Sequence, residues 1–75
     1  MSFEAAMAAI EVATGKRGLK PSDGLEAIAE DSLELVWSLV EIEGVTGVKL
    51  EPRETLGMTV GELAHHIAGR TPKAA

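Results

Sequence analysis

The side chains able to do chemistry are few, and one hydroxyl among them stands in an informative place. Ser32 follows two carboxylates in Glu30-Asp31-Ser32-Leu33-Glu34-Leu35 and opens a run with helical spacing. A serine there either caps the helix or is free to be modified. If Asp31 is the N-cap, its carboxylate accepts from the N–H of residue 33 or 34, and Glu34 stands at the third helical position of a D-x-x-E box. Ser32 is then the first helical residue, with its hydroxyl at the solvent edge beside the positive end of the helix dipole. A phosphate attached there meets free N–H groups and a favourable field. If Ser32 is itself the cap, the backbone uses its hydroxyl. The residues alone leave both open.

The other reactive groupings are weaker. Glu62-x-x-His65 is half of a di-iron signature and His65-His66 could bind a metal. A di-metal site needs more ligands than this chain offers, so the expectation is no metal and an exposed Glu62/His66 pair at i,i+4. Thr14-Gly15-Lys16 is similar to the end of a P-loop, but it lacks the first glycine and a preceding strand and reads as a helix stop. No Ser-His-Asp or paired-carboxylate arrangement can be argued, so the chain is not read as an enzyme.

Length and charge narrow the classes. At 75 residues the chain reads as one domain, residues 1–75, with an ordered core over about 2–69 and a tail at 70–75. A domain of this size buries only about 60–65% of the surface its unfolded chain exposes, which leaves little room for a closed active site. Its core supplies about 3–5 kcal/mol of net stability, and no cysteine is present to add a disulfide. The lack of cysteine fits a reducing compartment. The start, MSFEAAMAAIEVATGK, has no basic leader, and Glu4 and Glu11 interrupt its apolar residues. It therefore reads as neither signal peptide nor membrane span, and the expectation is a soluble, cytoplasmic monomer without membrane insertion.

The net charge is −5, and from Pro21 to Val48 there are seven carboxylates with no lysine or arginine. That stretch repels a nucleic-acid backbone, which excludes nucleic acid as a partner, and attracts a basic protein surface. Lys16, Arg17 and Lys20 either balance the acidic helix or touch a partner, and Arg70 and Lys73 are expected to be solvated.

Periodicity predicts an all-α chain. Phe3, Ala6, Met7, Ile10 and Ala13 form one stripe, with Ser2 as N-cap and Gly15 and Gly18 as stops. GKRGLKPSDG is a long loop anchored by Leu19, Leu25 and Ile28, and loops of such length are often functional. A second helix begins near Ser32 and runs to about Gly44. GVTGVKLEP is loop, and at most one turn follows around Arg53 to Leu56. Thr59-Val-Gly-Glu62 is a capping box opening a last helix on Val60, Leu63, Ala64 and Ile67, stopped by Gly69 and Pro72. In the second helix Leu35, Val36, Leu39 and Ile42 are expected to face inward. Leu33, Trp37 and Val40, at i, i+4 and i+7, make a second stripe, either wrapped by the long loop or left open for a partner with Trp37 as anchor.

Asp31-Ser32-Leu33 ahead of an acidic second helix, then Leu50-Glu51-Pro52, then TVGELAHHI at 59–67, in a chain of this size, resemble an acyl carrier protein. The resemblance covers essentially the whole chain. A bare D-S-L is weak evidence, and the ordered combination carries the likeness. It implies a small acyl-carrier-like bundle of three main helices plus one short helix or turn, with the long loop between the first two. It also implies that Ser32, flanked by Asp31 and Leu33, carries a 4′-phosphopantetheine arm derived from coenzyme A. Leu33, Glu34, Val40, Glu41 and Glu43 would match the face such proteins show to their partners, and the second stripe adds Trp37. The implied partners are a phosphopantetheinyl transferase and acyl-loading and acyl-transfer enzymes with basic docking surfaces. The pathway would be of fatty-acid, lipid or polyketide type. A peptidyl or aminoacyl carrier, or an unmodified helical interaction domain, are the alternatives.

The chain also departs from the family's usual pattern. Ala29 replaces a glycine, Trp37 stands where a polar residue is common, Thr46 lies near an aromatic position, and Gly44 weakens the end of the helix. With Phe3 and Trp37 as its aromatics, the chain is expected to pack its helices closely, with little space for a long acyl chain.

Overall fold

A computed structural model describes residues 1–70; Pro72, Lys73 and most of the expected tail lie outside the described residues. Helix α1 spans Phe3–Thr14, α2 Ser32–Thr46, α3 Pro52–Thr55 and α4 Val60–Ala68, with a short 3-10 turn at Leu25–Ala27. This is a small all-α bundle of three main helices and one short one, as the periodicity predicts. Among the described residues the extended backbone pairing is one isolated bridge between Gly24 and Thr59.

Each main helix starts on an oxygen-bearing side chain. Ser2 Oγ accepts from the Ala5 N–H, Asp31 from the Glu34 N–H, and Thr59 and Glu62 close a reciprocal capping box. Helix α1 stops at Gly15 (φ 74°) and α2 at Gly47 (φ 74°), both in the left-handed region where a Cβ is strained. Helix α1 packs against both α2 and α4. Ala6, Ile10, Leu39, Ile42, Leu63 and Ile67 fill the space between them and are essentially inaccessible to water.

Two expectations for α2 need correction. The helix passes Gly44 and ends two residues later, at Thr46. Gly44 faces open space and costs only about 1 kcal/mol against alanine. The last turn is held by Thr46, whose hydroxyl donates to the Ile42 carbonyl at 2.9 Å and accepts from the Val48 N–H at 3.2 Å. Val36, expected inside, is 40% exposed, while Ser38 is buried. At about 100° per residue the inner face is Leu35, Ser38, Leu39, Ile42 and Thr46, and Val36 falls off its edge.

The long loop is fastened at three backbone points and braced within itself at a fourth. Glu11 Oε2 accepts from the Leu19 N–H at 2.9 Å, and Asp23 Oδ2 from the Lys20 N–H at 2.9 Å. The carbonyls of Asp23 and Pro21 accept from the Val60 and Gly61 N–H groups at 2.7 and 2.9 Å. The loop therefore caps the first turn of α4, satisfying donors that a helix start leaves open. Gly61 makes this approach possible, because a Cβ there would lie 2.7 Å from Pro21 Cβ and 2.8 Å from its carbonyl oxygen. Ile28, 2% exposed, plugs the loop's far end into the core.

Candidate functional site

Ser32 sits where the fastened loop meets α2. Of the two arrangements open from sequence, the cap belongs to Asp31: its Oδ1 accepts from the Glu34 N–H at 2.8 Å. Glu34 Oε1 reaches back to the Glu30 N–H at 3.1 Å, one residue before the cap. Two carboxylates thus hold the helix start, and Ser32 is the first helical residue and exposed. Among the described residues its hydroxyl has no hydrogen-bond partner, and the Ser32 and Leu33 N–H groups donate to none.

The outer face of α2 is open. Leu33 is 68% exposed, Trp37 63% and Val40 54%, so the loop does not wrap this stripe. At about 100° per residue, Glu34 and Glu41 border one edge of the stripe, and Val36 and Glu43 border the other. Glu34 and Glu41 are exposed and Glu43 is half-buried. None of these carboxylates takes part in an ion pair among the described residues, where the pairs are Lys49–Glu51 and Arg70–Glu54. Arg70 is exposed, as expected, and its guanidinium also pairs with Glu54 at 3.1 Å.

Beside Ser32 lies a feature the sequence reading did not foresee. A cleft of about 260 Å³ runs between the loop, the start of α2 and Leu56. Leu56 is 79% exposed and sits in the link between α3 and α4. It belongs to no periodic stripe, so the only sequence signal was a lone leucine between two helix boundaries.

The remaining candidates separate from this site. Glu62 is held in the capping box, its Oε1 accepting from the Thr59 N–H at 2.8 Å, so the expected Glu62/His66 pair does not form. His65 stacks on Phe3 with ring centroids 4.4 Å apart. His66 buries its Nε2 without a hydrogen-bond partner among the described residues. No group of three or more possible metal ligands comes together among the described residues. Thr14-Gly15-Lys16 is a helix stop, with the Thr14 hydroxyl bonded to the Ile10 carbonyl at 2.7 Å. Among the described residues no helix is long and apolar enough to cross a membrane.

Set against family models, curated proteins and solved structures, the chain matches none of them.

Proposed function

We propose that this chain is a carrier protein, with Ser32 esterified by 4′-phosphopantetheine and the outer face of α2 docking on partner enzymes. The observation that supports the reading most is the division of labour at the start of α2. Asp31 does the capping, which leaves the Ser32 hydroxyl exposed and, among the described residues, unpartnered. The surroundings also suit a phosphodiester. Among the described residues the Ser32 and Leu33 N–H groups are unpartnered at the positive end of the helix dipole, which favours negative charge. The ordered likeness of Asp31-Ser32-Leu33, Leu50-Glu51-Pro52 and TVGELAHHI to acyl carrier proteins adds to this.

In the modification Ser32 Oγ forms a bond to the β-phosphorus of coenzyme A as the bond from that phosphorus to the bridging oxygen breaks. Adenosine 3′,5′-bisphosphate leaves with the electron pair, and the hydroxyl proton passes to a base of the transferase. Magnesium and basic groups of the transferase offset the charge that develops. The arm then supplies a thiol that holds an acyl or aminoacyl group as a thioester. The carrier's own residues present the nucleophile and steer the encounter: no cation stands between Pro21 and Val48, so a basic partner surface is attracted to this side.

The exposed Leu33/Trp37/Val40 stripe equally supports a second reading, an unmodified interaction domain, because docking needs no arm. Intact mass separates the two. The purified chain is incubated with coenzyme A, magnesium and a broad-specificity phosphopantetheinyl transferase, beside Ser32→Ala and a carrier known to be modified. One phosphopantetheine gained by the wild type alone supports the carrier. No gain while the control carrier is modified overturns it for that transferase and favours the interaction domain.

A further inference from the structure

The cations that no part of the fold has claimed gather at the end of α1. From Val12 to Ser22 there are three, Lys16, Arg17 and Lys20, and no carboxylate. Of the two roles open to them, balancing the acidic helix or touching a partner, the structure decides against the first. All three are exposed, and none enters an ion pair among the described residues. Lys16 and Arg17 border a groove of about 390 Å³ whose other walls are Ala8, Glu11, Val12 and Gly15. That volume falls within the ~300–1,000 Å³ of clefts that take organic groups. Val12 is its apolar wall and is 73% exposed. Glu11 is already engaged, its Oε2 accepting from the Leu19 N–H at 2.9 Å. The groove therefore presents apolar surface beside unpaired positive charge, in a chain whose net charge is −5.

The complement of this groove stands on α2. Leu33, Trp37 and Val40 form an exposed ridge edged by Glu34 and Glu41, and neither carboxylate pairs with a cation among the described residues. Two such ridges set together would oppose carboxylate to carboxylate. Ridge against groove instead joins opposite charges and covers apolar side chains on both sides. We propose that a second copy of this chain covers the groove at the end of α1, with its Trp37 against Val12 and Ala8 and its Glu34 and Glu41 facing Lys16 and Arg17. The contact joins two different surfaces and is heterologous. The monomer expected from the sequence is then the dilute form. The inference goes beyond the carrier reading and does not need the arm on Ser32, since it uses only the exposed stripe. Because that stripe is also the proposed docking face, a copy seated on it and a partner enzyme exclude each other.

The test is sedimentation velocity of the full chain at low salt over rising concentration, with circular dichroism confirming equal helicity in every variant. The wild type should sediment faster as concentration rises, and Ser32→Ala should do the same. Lys16→Gln should weaken association about fivefold, the factor one ion pair at ~4 Å in water corresponds to. Lys16→Glu/Arg17→Glu keeps the ridge and Trp37→Ala keeps the groove, and each alone should remain monomeric. Mixed in equal amounts they should associate again and stop at the dimer, because one sound groove and one sound ridge make a single contact. A wild type that stays monomeric at every concentration, or a mixture that does not associate, overturns the proposal. So does association that Trp37→Ala abolishes and the charge reversal leaves intact, which would mean that the ridge pairs with itself. None of these outcomes bears on the intact-mass result that decides the carrier reading.

Discussion

Replacing Gly61 by alanine tests whether the loop and α4 are as closely fitted as they look. Alanine favours a helix over glycine by about 1 kcal/mol, so propensity alone makes Gly61→Ala stabilising. The packing opposes this. A Cβ at position 61 would lie 2.7 Å from Pro21 Cβ, 2.8 Å from its carbonyl oxygen and 2.9 Å from its Cα. Two of those three atoms are backbone, so the loop itself must move. Overpacking of this kind costs about 1–3 kcal/mol. Moving Pro21 also weakens the bonds from Gly61 N–H to Pro21 and from Val60 N–H to Asp23, each worth about 1 kcal/mol. With the propensity gain subtracted, the variant should lose about 2–4 kcal/mol, most of what a domain this small possesses. The thermal midpoint, followed by helical circular dichroism, should fall by at least about 10 °C. Gly44→Ala is the control: it faces open space in the last turn of α2 and should gain up to about 1 kcal/mol. A Gly61→Ala chain as stable as wild type, with Gly44→Ala behaving as expected, would refute the claim that the loop is fastened through this contact.

The start of α2 gives a paired prediction. Asp31→Ala should cost about 1 kcal/mol through loss of the cap, while Ser32→Ala should change urea-unfolding stability by no more than about 0.5 kcal/mol. The reverse order would make Ser32 the cap and remove the main support for the carrier reading. Trp37→Ala should also leave stability within about 0.5 kcal/mol, and the Trp37 fluorescence of the wild type should be red-shifted and readily quenched by acrylamide. A blue-shifted, protected tryptophan would sink the docking anchor. Leu39→Ala, at a site 2% exposed, should cost about 2–5 kcal/mol and leave the chain largely unfolded at 25 °C. A cooperative thermal transition near the wild-type midpoint would contradict the placement of the core.

What could be read from the sequence was what depends on neighbours a few residues apart. Ser2 and the Thr59/Glu62 box each act within three or four residues, and the stripe Val60, Leu63, Ala64, Ile67 repeats at the helical period; at the start of α2 the same range narrowed the cap to Asp31 or Ser32 without choosing. What could not be read depends on distant chain. The approach of Pro21 to Gly61 joins positions 40 apart, and nothing local to either glycine tells Gly61 from Gly44. The exposure of Val36 turned on where the inner face of α2 is centred, which Ile28 and the core decide. Gly44 looked like a helix stop because propensity was weighed without the Thr46 and Ile42 contacts that carry the helix past it. Leu56 was invisible as a site residue because a cleft is made by surfaces from separate segments.

The rigidity of α2 ties the two halves of the candidate site together. Ser32 and Trp37 stand on one helix five residues apart, so about 7.5 Å of axial rise separates them. A partner that grips the stripe thereby has Ser32 within reach at a set distance, without the loop having to reorder. On the carrier reading, the carboxylates and the stripe would act on different rates. Charges at the rim mainly set how fast the partners meet, and the buried apolar anchor mainly sets how long they stay. Added salt should therefore slow association with a transferase or acyl-transfer enzyme, whereas Trp37→Ala should speed dissociation. If both perturbations acted on association alone, Trp37 would be a bystander and the acidic face the whole of the docking surface.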